Sequence, residues 1–163
     1  MILRLLTPFV KSAIITTKAD MNISEQYLAG FIDGEGCITI TINRRKDRQP
    51  QHCLTICVAQ SDKWILDAMC ESTGLGKVFT ASNSVRPWMK ATKSAWQWRI
   101  ADRQALELLK TLQPHLLVKQ AQAVIAIEFA ERKSKNPTGK RVLDEEIAIR
   151  ERARLAITEL NQL

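Results

Sequence analysis

At 163 residues, 45% of them hydrophobic, the chain is long enough to bury one ordinary core and too short to demand two domains. Its formal charge of +7 points to a polyanionic partner, a signature that ribosomal and membrane-surface proteins share. No apolar run reaches the roughly 18 residues that cross a bilayer, which excludes a spanning segment, and the four cysteines (Cys37, Cys53, Cys57 and Cys70) contain no CxxC pair. Cys53 and Cys57 would lie roughly 13 Å apart along one strand, so the spacing argues against zinc and disulfides and for free thiols of an intracellular protein.

Residues 1–21 read as an N-terminal extension, an arm or a targeting segment, ahead of a single domain over 22–163. They are apolar, carry Arg4, Lys11 and Lys18, have no acid before Asp20, and Pro8 breaks their helical pattern. The stretch from Tyr27 to Gly36, YLAGFIDGEG, then writes a short helix, capped by Asn22 or Ser24, with Leu28, Phe31 and Ile32 on one buried face. Gly30 and Gly34 stand one turn apart and leave a groove for the backbone of a second helix. Asp33 and Glu35 fall at the helix C-terminus, where the macrodipole disfavours anions unless a cation is present. A divalent metal is the simplest compensation.

Two strands follow. In CITITINRRKD, Ile38, Ile40 and Ile42 alternate with Cys37, Thr39, Thr41 and Asn43; in QHCLTICVAQ, Leu54, Ile56 and Val58 alternate with Gln51, Cys53, Thr55 and Cys57, with Gln60 at the strand end after a slip of parity near Ala59. Thr, Asn, Gln and Cys are unusual choices for a merely solvated face and suit base edges in a major groove that admits a two-stranded ribbon. The tip between the strands carries Arg44, Arg45, Lys46 and Arg48 against one acid, a pattern suited to phosphates.

The plan then repeats. Asp62 caps a helix bearing Trp64, Ile65, Ala68 and Met69, closed by Gly74 and Gly76; strands are expected in KVFTAS, which opens with Lys77, and in SAWQWRI. Alternation assigns Trp96 and Trp98 to the core, with base stacking as the alternative, and Gln97 and Arg99 to the ligand face. NSVRPWMKATK between them reads as a basic loop. Asp102 caps a helix with Ala105, Leu108, Leu109 and Leu112, ended by Pro114, and two further helices are expected over about 116–132 and 141–161, parted by SKNPTGK. The class is α+β.

LAGFIDGEG resembles the motif of the LAGLIDADG homing endonucleases, departing at Phe31, Gly34 and Glu35, and LQPHLLVKQAQA is similar to the single-motif branch of that family. The likeness covers about 23–129. It implies a helix-strand-strand-helix-strand-strand-helix saddle, an antiparallel sheet with helices on one side, and a homodimer whose motif helices meet through Leu28, Gly30, Phe31, Asp33 and Gly34. It also implies catalytic roles for Glu35, Gln60 and Lys119. Glu35 and the Gly34 carbonyl are the expected ligands of Mg²⁺, with Asp33 mainly a helix-end and interface residue, and Ca²⁺ is expected to support binding without cleavage. Lys63 lies near, but not on, the position of a basic residue in some members.

The DNA-contacting set is expected to be Cys37, Thr39, Thr41, Asn43, Arg44, Arg45, Lys46, Arg48, Gln51, Cys53, Thr55, Cys57, Lys77, Gln97 and Arg99. Together these features imply a site-specific endonuclease that makes a Mg²⁺-dependent double-strand break in a long, near-palindromic double-stranded DNA target. An RNA-binding intron maturase of the same fold, with host intron RNA as partner, and a catalytically inactive DNA-binding protein are the alternatives. No membrane partner is expected, and the location is intracellular, in a chloroplast, a mitochondrion or a prokaryotic cytoplasm.

Overall fold

The computed structural model describes residues 22–46, 48–81, 95–135 and 141–162. The expectations for 1–21 and for the basic loop over 83–93 lie outside them. Helix α1, Glu25–Glu35, begins where the Ser24 hydroxyl accepts from the Tyr27 N–H at 3.2 Å, with Glu25 complementing the dipole in its first turn. Ser24, not Asn22, is thus the cap. Leu28, Ala29 and Ile32 form the buried face, whereas Phe31 is half-buried with its ring 6.1 Å from that of Tyr27.

The chain passes directly from α1 into strand β1, Gly36–Arg45, and returns through β2, Arg48–Gln60, with Gly36 opposite Val58. A Cβ at Gly36 would lie 2.7 Å from the Ile32 carbonyl oxygen and 2.9 Å from its Cα, so the abrupt turn from helix to strand needs a residue without a side chain. Alternation holds along both strands. Ile38, Ile40, Leu54, Ile56 and Val58 are buried beneath the helices. The register runs without a break through Ala59 to Gln60, so no slip of parity occurs there, and the irregularity falls instead between Asn43 and Arg45.

Helix α2, Lys63–Thr73, buries Ile65, Leu66 and Met69. Trp64 is 38% exposed, and its indole N–H donates to the Asp62 carboxylate at 2.9 Å, so Asp62 serves that ring rather than a helix amide. Gly74, at φ 66°, closes the helix in the left-handed region, and Gly76, at φ 73°, lies so close to β4 that a Cβ would meet the Arg99 carbonyl oxygen at 2.6 Å. Strands β3, Lys77–Thr80, and β4, Trp96–Ala101, complete an antiparallel sheet in the order β1-β2-β4-β3. Trp98 is fully buried and donates to the Leu75 carbonyl at 2.9 Å, which makes it core; Trp96 is half-buried.

Helix α3, Asp102–Leu112, buries the four apolar residues expected of it. Ala101, not Asp102, occupies its cap position, and the Asp102 carboxylate instead accepts from the Lys133 ammonium at 2.6 Å. A 3₁₀ turn, Gln113–His115, leads to α4, Gln120–Ser134, and then α5, Asp144–Leu160. Both last helices start later than their periodicity suggests. Val142 is held before α5 by the Gln49 amide, which donates to its carbonyl and accepts from its N–H, both at 2.9 Å. Across α5, buried His52 lies 3.0 Å from the Glu151 carboxylate, and Asn161 donates to the Ile38 carbonyl at 2.9 Å. Hydrogen bonds from Arg154 and then His52 hold the Glu151 carboxyl at about 2, outweighing its burial. Among the described residues no helix is long and apolar enough to cross a membrane.

Replacing Gly36 with Ala should overpack the α1–β1 junction and cost about 1–3 kcal/mol. Chemical denaturation checks this, and unchanged stability would mean that the junction relaxes freely.

Candidate active site and sheet face

The segment between the 3₁₀ turn and α4 presents backbone N–H groups that no helical carbonyl can satisfy. Asp33, in the last turn of α1, accepts three of them: Leu117 N–H at 2.7 Å and Val118 N–H at 3.2 Å on Oδ2, and Lys119 N–H at 2.9 Å on Oδ1. In return, the Lys119 ammonium donates to the Asp33 main-chain carbonyl. The exchange is complementary, an anion at the start of α4 and a cation on the negative end of α1. Burial by itself would raise the Asp33 carboxyl, but the amides of Leu117, Lys119 and Val118, with the Lys119 charge, hold it below the ordinary value. Lys119 therefore precedes α4, which starts after Leu116 because Asp33 takes these amides.

Two interface assignments change as a result. Asp33 faces the 117–119 turn of its own chain, and Leu28 lies in its own core at 3% exposure, so neither belongs to the outward stripe of α1. That stripe is Tyr27, Gly30, Phe31 and Gly34. A Cβ at either glycine would meet nothing within 4 Å. Tyr27 at 52% exposure and Leu117 at 86% add apolar surface that periodicity does not single out, since each adjoins a buried leucine, Leu28 or Leu116, and only the packing tells which of the two is inside.

Glu35 is exposed, and it forms no hydrogen bond or ion pair with the described residues. The Lys119 ammonium lies on the same last turn of α1, at the Asp33 main-chain carbonyl. Gln60 ends β2 two residues past the partner of Gly36, and its side-chain oxygen accepts from the Ser61 N–H at 2.9 Å, without a bond to Glu35 or Lys119. Lys63 is paired with Asp67 at 2.6 Å and sits 5.2 Å over the ring of Trp96, the register partner of Gln60. Among the described residues no three His, Cys, Asp or Glu side chains converge as a metal site. One hard, exposed carboxylate on the negative end of a helix fits a hard divalent cation, and alone it falls short of the six or more oxygen ligands such a cation takes.

On the odd-numbered face of the sheet, Cys37, Thr41, Asn43, Gln51, Lys77 and Arg99 are exposed, and Thr39, Cys53, Cys57 and Gln97 are half-buried. Thr55 is the exception, at 9% exposure in the middle of the sheet beside Ala101, where flanking strands cover it. Arg99 donates to the Gln97 side-chain amide oxygen at 2.9 Å, and the Thr41 hydroxyl donates to the Cys53 main-chain carbonyl at 3.3 Å. Arg44 and Lys46 are exposed at the hairpin tip, where Arg45 and Arg48 are paired in register. Phe79, exposed opposite Gln97, joins this face; the alternation of Lys77 and Phe79 against Val78 was its signal.

The LAGLIDADG endonuclease family model matches residues 28–120, and the chain belongs to this family. It is similar to DNA endonuclease I-CreI of Chlamydomonas reinhardtii, at 27% identity over 110 residues covering 64% of this chain and 61% of that protein. The chain thus spans about three fifths of that relative's length. Two solved structures share the fold: homing endonuclease I-CvuI in complex with its target in the presence of Ca, at TM-score 0.62 and 22% identity over 85% of this chain and 80% of that one, and the archaeal intron-encoded homing endonuclease I-Vdi141I complexed with DNA, at TM-score 0.68 and 16% identity over 83% and 82%.

Asp33→Asn should destabilise the protein by about 1–3 kcal/mol near neutral pH, because three amides then share a weaker acceptor. The folded pKa lies below the ordinary value of 3.8, so the contribution of Asp33 is complete above that pH and is lost as the pH falls through the folded pKa. The gap between wild type and variant therefore narrows in acid. Urea unfolding across a pH series reads it, and a constant gap would contradict the clamp.

Proposed function

We propose that two copies of this chain form a Mg²⁺-dependent DNA endonuclease that makes a site-specific double-strand break in a long, near-palindromic target, as an intron-encoded homing enzyme. The observation that carries this reading is the free Glu35 carboxylate at the end of α1 with the Lys119 ammonium lodged on that same turn. Glu35 and the Gly34 carbonyl would hold the ion, which when bound makes a water nucleophilic and offsets charge on the leaving oxygen. Lys119 supplies a fixed positive charge for the phosphate, and Gln60 orders water at the strand end. Half a metal site per chain calls for a second chain. The open stripe of Tyr27, Gly30, Phe31 and Gly34 is shaped for its helix, and crossing there brings the two Glu35 residues toward one axis. Exposed Thr41, Asn43, Gln51 and Arg99 then meet base edges, and the basic tip meets phosphates.

Incubation with a plasmid library of randomised targets and Mg²⁺ tests the activity. Glu35→Gln should lower cleavage by more than about a hundredfold, and Lys119→Met by about that factor or less, while duplex binding in Ca²⁺ persists. I-CvuI has been captured on its target with Ca, which makes that ion the natural probe of binding. Cleavage by Glu35→Gln near the wild-type rate would remove the assignment. Binding without any cleavage by the wild type would favour the inactive DNA-binding alternative, and preference for structured intron RNA the maturase.

Gly30→Leu tests the dimer cleanly, since nothing in the subunit lies within 4 Å of a Cβ there and its fold should tolerate the change. Sedimentation should show a folded monomer in place of the wild-type dimer. An undisturbed dimer would place the interface elsewhere.

A further inference from the structure

Cys37 and Cys57 stand directly opposite each other on β1 and β2. Opposed residues of an antiparallel pair leave the same face with Cβ atoms about 4.5–5.5 Å apart, close to the roughly 3.5–4.5 Å of a disulfide. Cys37 is exposed and Cys57 half-buried, so the pair opens to solvent. The Cys37 sulfur now leans outward, 3.9 Å from Asn161 Nδ2 and 4.0 Å from the Ile38 carbonyl oxygen. These are weak sulfur contacts, and rotation about χ1 to another staggered well carries the sulfur over β2. No other pair of the four cysteines is so placed. Cys53 faces Thr41 and lies roughly 13 Å along the strand from Cys57, while Cys70, on α2, lies against the carbonyls of Leu75 and Gly76.

We propose that Cys37 and Cys57 form a reversible thiol–disulfide site in the sheet face, with a peroxide or a low-molecular-weight disulfide as co-reactant. With hydrogen peroxide, one thiol is oxidised to a sulfenic acid as the O–O bond breaks and one water leaves. The other sulfur attacks it, forming the S–S bond and releasing a second water. The two thiols together give up two electrons and two protons, and the peroxide is reduced to two waters. With oxidised glutathione, the first sulfur forms a mixed disulfide and expels one glutathione thiol, and the second sulfur displaces the other. A cross-strand bridge draws the Cβ atoms closer than strand pairing sets them, and bonds strained in this way are readily reduced. Reversibility follows from that geometry.

The bridge itself is independent of the nuclease reading, whereas any effect of DNA on it rests on that reading. Purified full-length protein is treated with hydrogen peroxide or oxidised glutathione, its remaining thiols are alkylated, and non-reducing peptide maps are read by mass spectrometry. Free thiols should fall from four to two, with the Cys37 and Cys57 peptides linked and both thiols restored by dithiothreitol. Cys70→Ser should form the same bridge, and Cys57→Ser should form none within the chain. Retention of all four thiols, or linkage through Cys53, Cys70 or a second chain, overturns the proposal. Random-sequence duplex DNA at ten times its dissociation constant should slow bridging by about tenfold, as the free fraction falls. Bridging at an unchanged rate in that DNA would leave the disulfide site standing and remove this face from the DNA interface.

Discussion

Asp33 joins two helix ends that would otherwise each be left with unsatisfied charge. Its carboxylate gathers the amides of Leu117, Val118 and Lys119, and its own carbonyl receives the Lys119 ammonium. An 11-residue helix such as α1 is marginal alone in water, so its persistence comes from burying Leu28, Ala29 and Ile32 and from this joint. The same contacts decide where α4 begins and where Lys119 stands. Without them the acid of Glu35 and the base of Lys119 would sit on two elements free to drift apart.

Division of labour between the two motif acids follows. Asp33 is consumed inside the subunit, which leaves Glu35 as the carboxylate available to a ligand. Gly36 sharpens the arrangement, because its closeness to Ile32 turns the chain into β1 one residue after Glu35 and so places the acid at the rim of the sheet. The polar odd-numbered face starts at that rim with Cys37. The proposed catalytic site and the proposed base-reading face are therefore continuous along the chain, Glu35 ending α1 and Cys37 following in β1.

Much of this was legible because period-two alternation along β1, β2 and β4 and the spacing of Ala105, Leu108, Leu109 and Leu112 are local signals. Sequence and structure part where a distant group decides a local outcome. Helical periodicity runs on through Leu116 and Arg141, yet Asp33 and Gln49 hold the backbone just ahead of α4 and α5. Trp64 and Leu66 are both apolar beside Ile65, and only the packing on the sheet tells which is inside. Thr55 follows the polar alternation but is covered by neighbouring strands, a property of sheet order. The opposition of Cys37 and Cys57 depends on register, which spacing within one strand does not contain. Glu35 and Lys119 stand out through family likeness, and nothing in the periodicity around them marks either residue as more than a surface charge.

The ties of α5 bear on the order in which the molecule assembles. Gln49 to Val142, His52 to Glu151 and Asn161 to Ile38 join residues 93, 99 and 123 positions apart, whereas the β1–β2 hairpin closes over a two-residue tip. Closing such long loops carries the larger entropy cost, so the hairpin is favoured to form first and α5 to dock late. Until it docks, His52 lacks its carboxylate and the Ile38 carbonyl on the outer edge of β1 is open to any other extended chain. A protein caught at that stage offers a bare ten-residue sheet edge, the kind of surface through which chains associate, and docking of α5, with Asn161 on the Ile38 carbonyl, covers part of it.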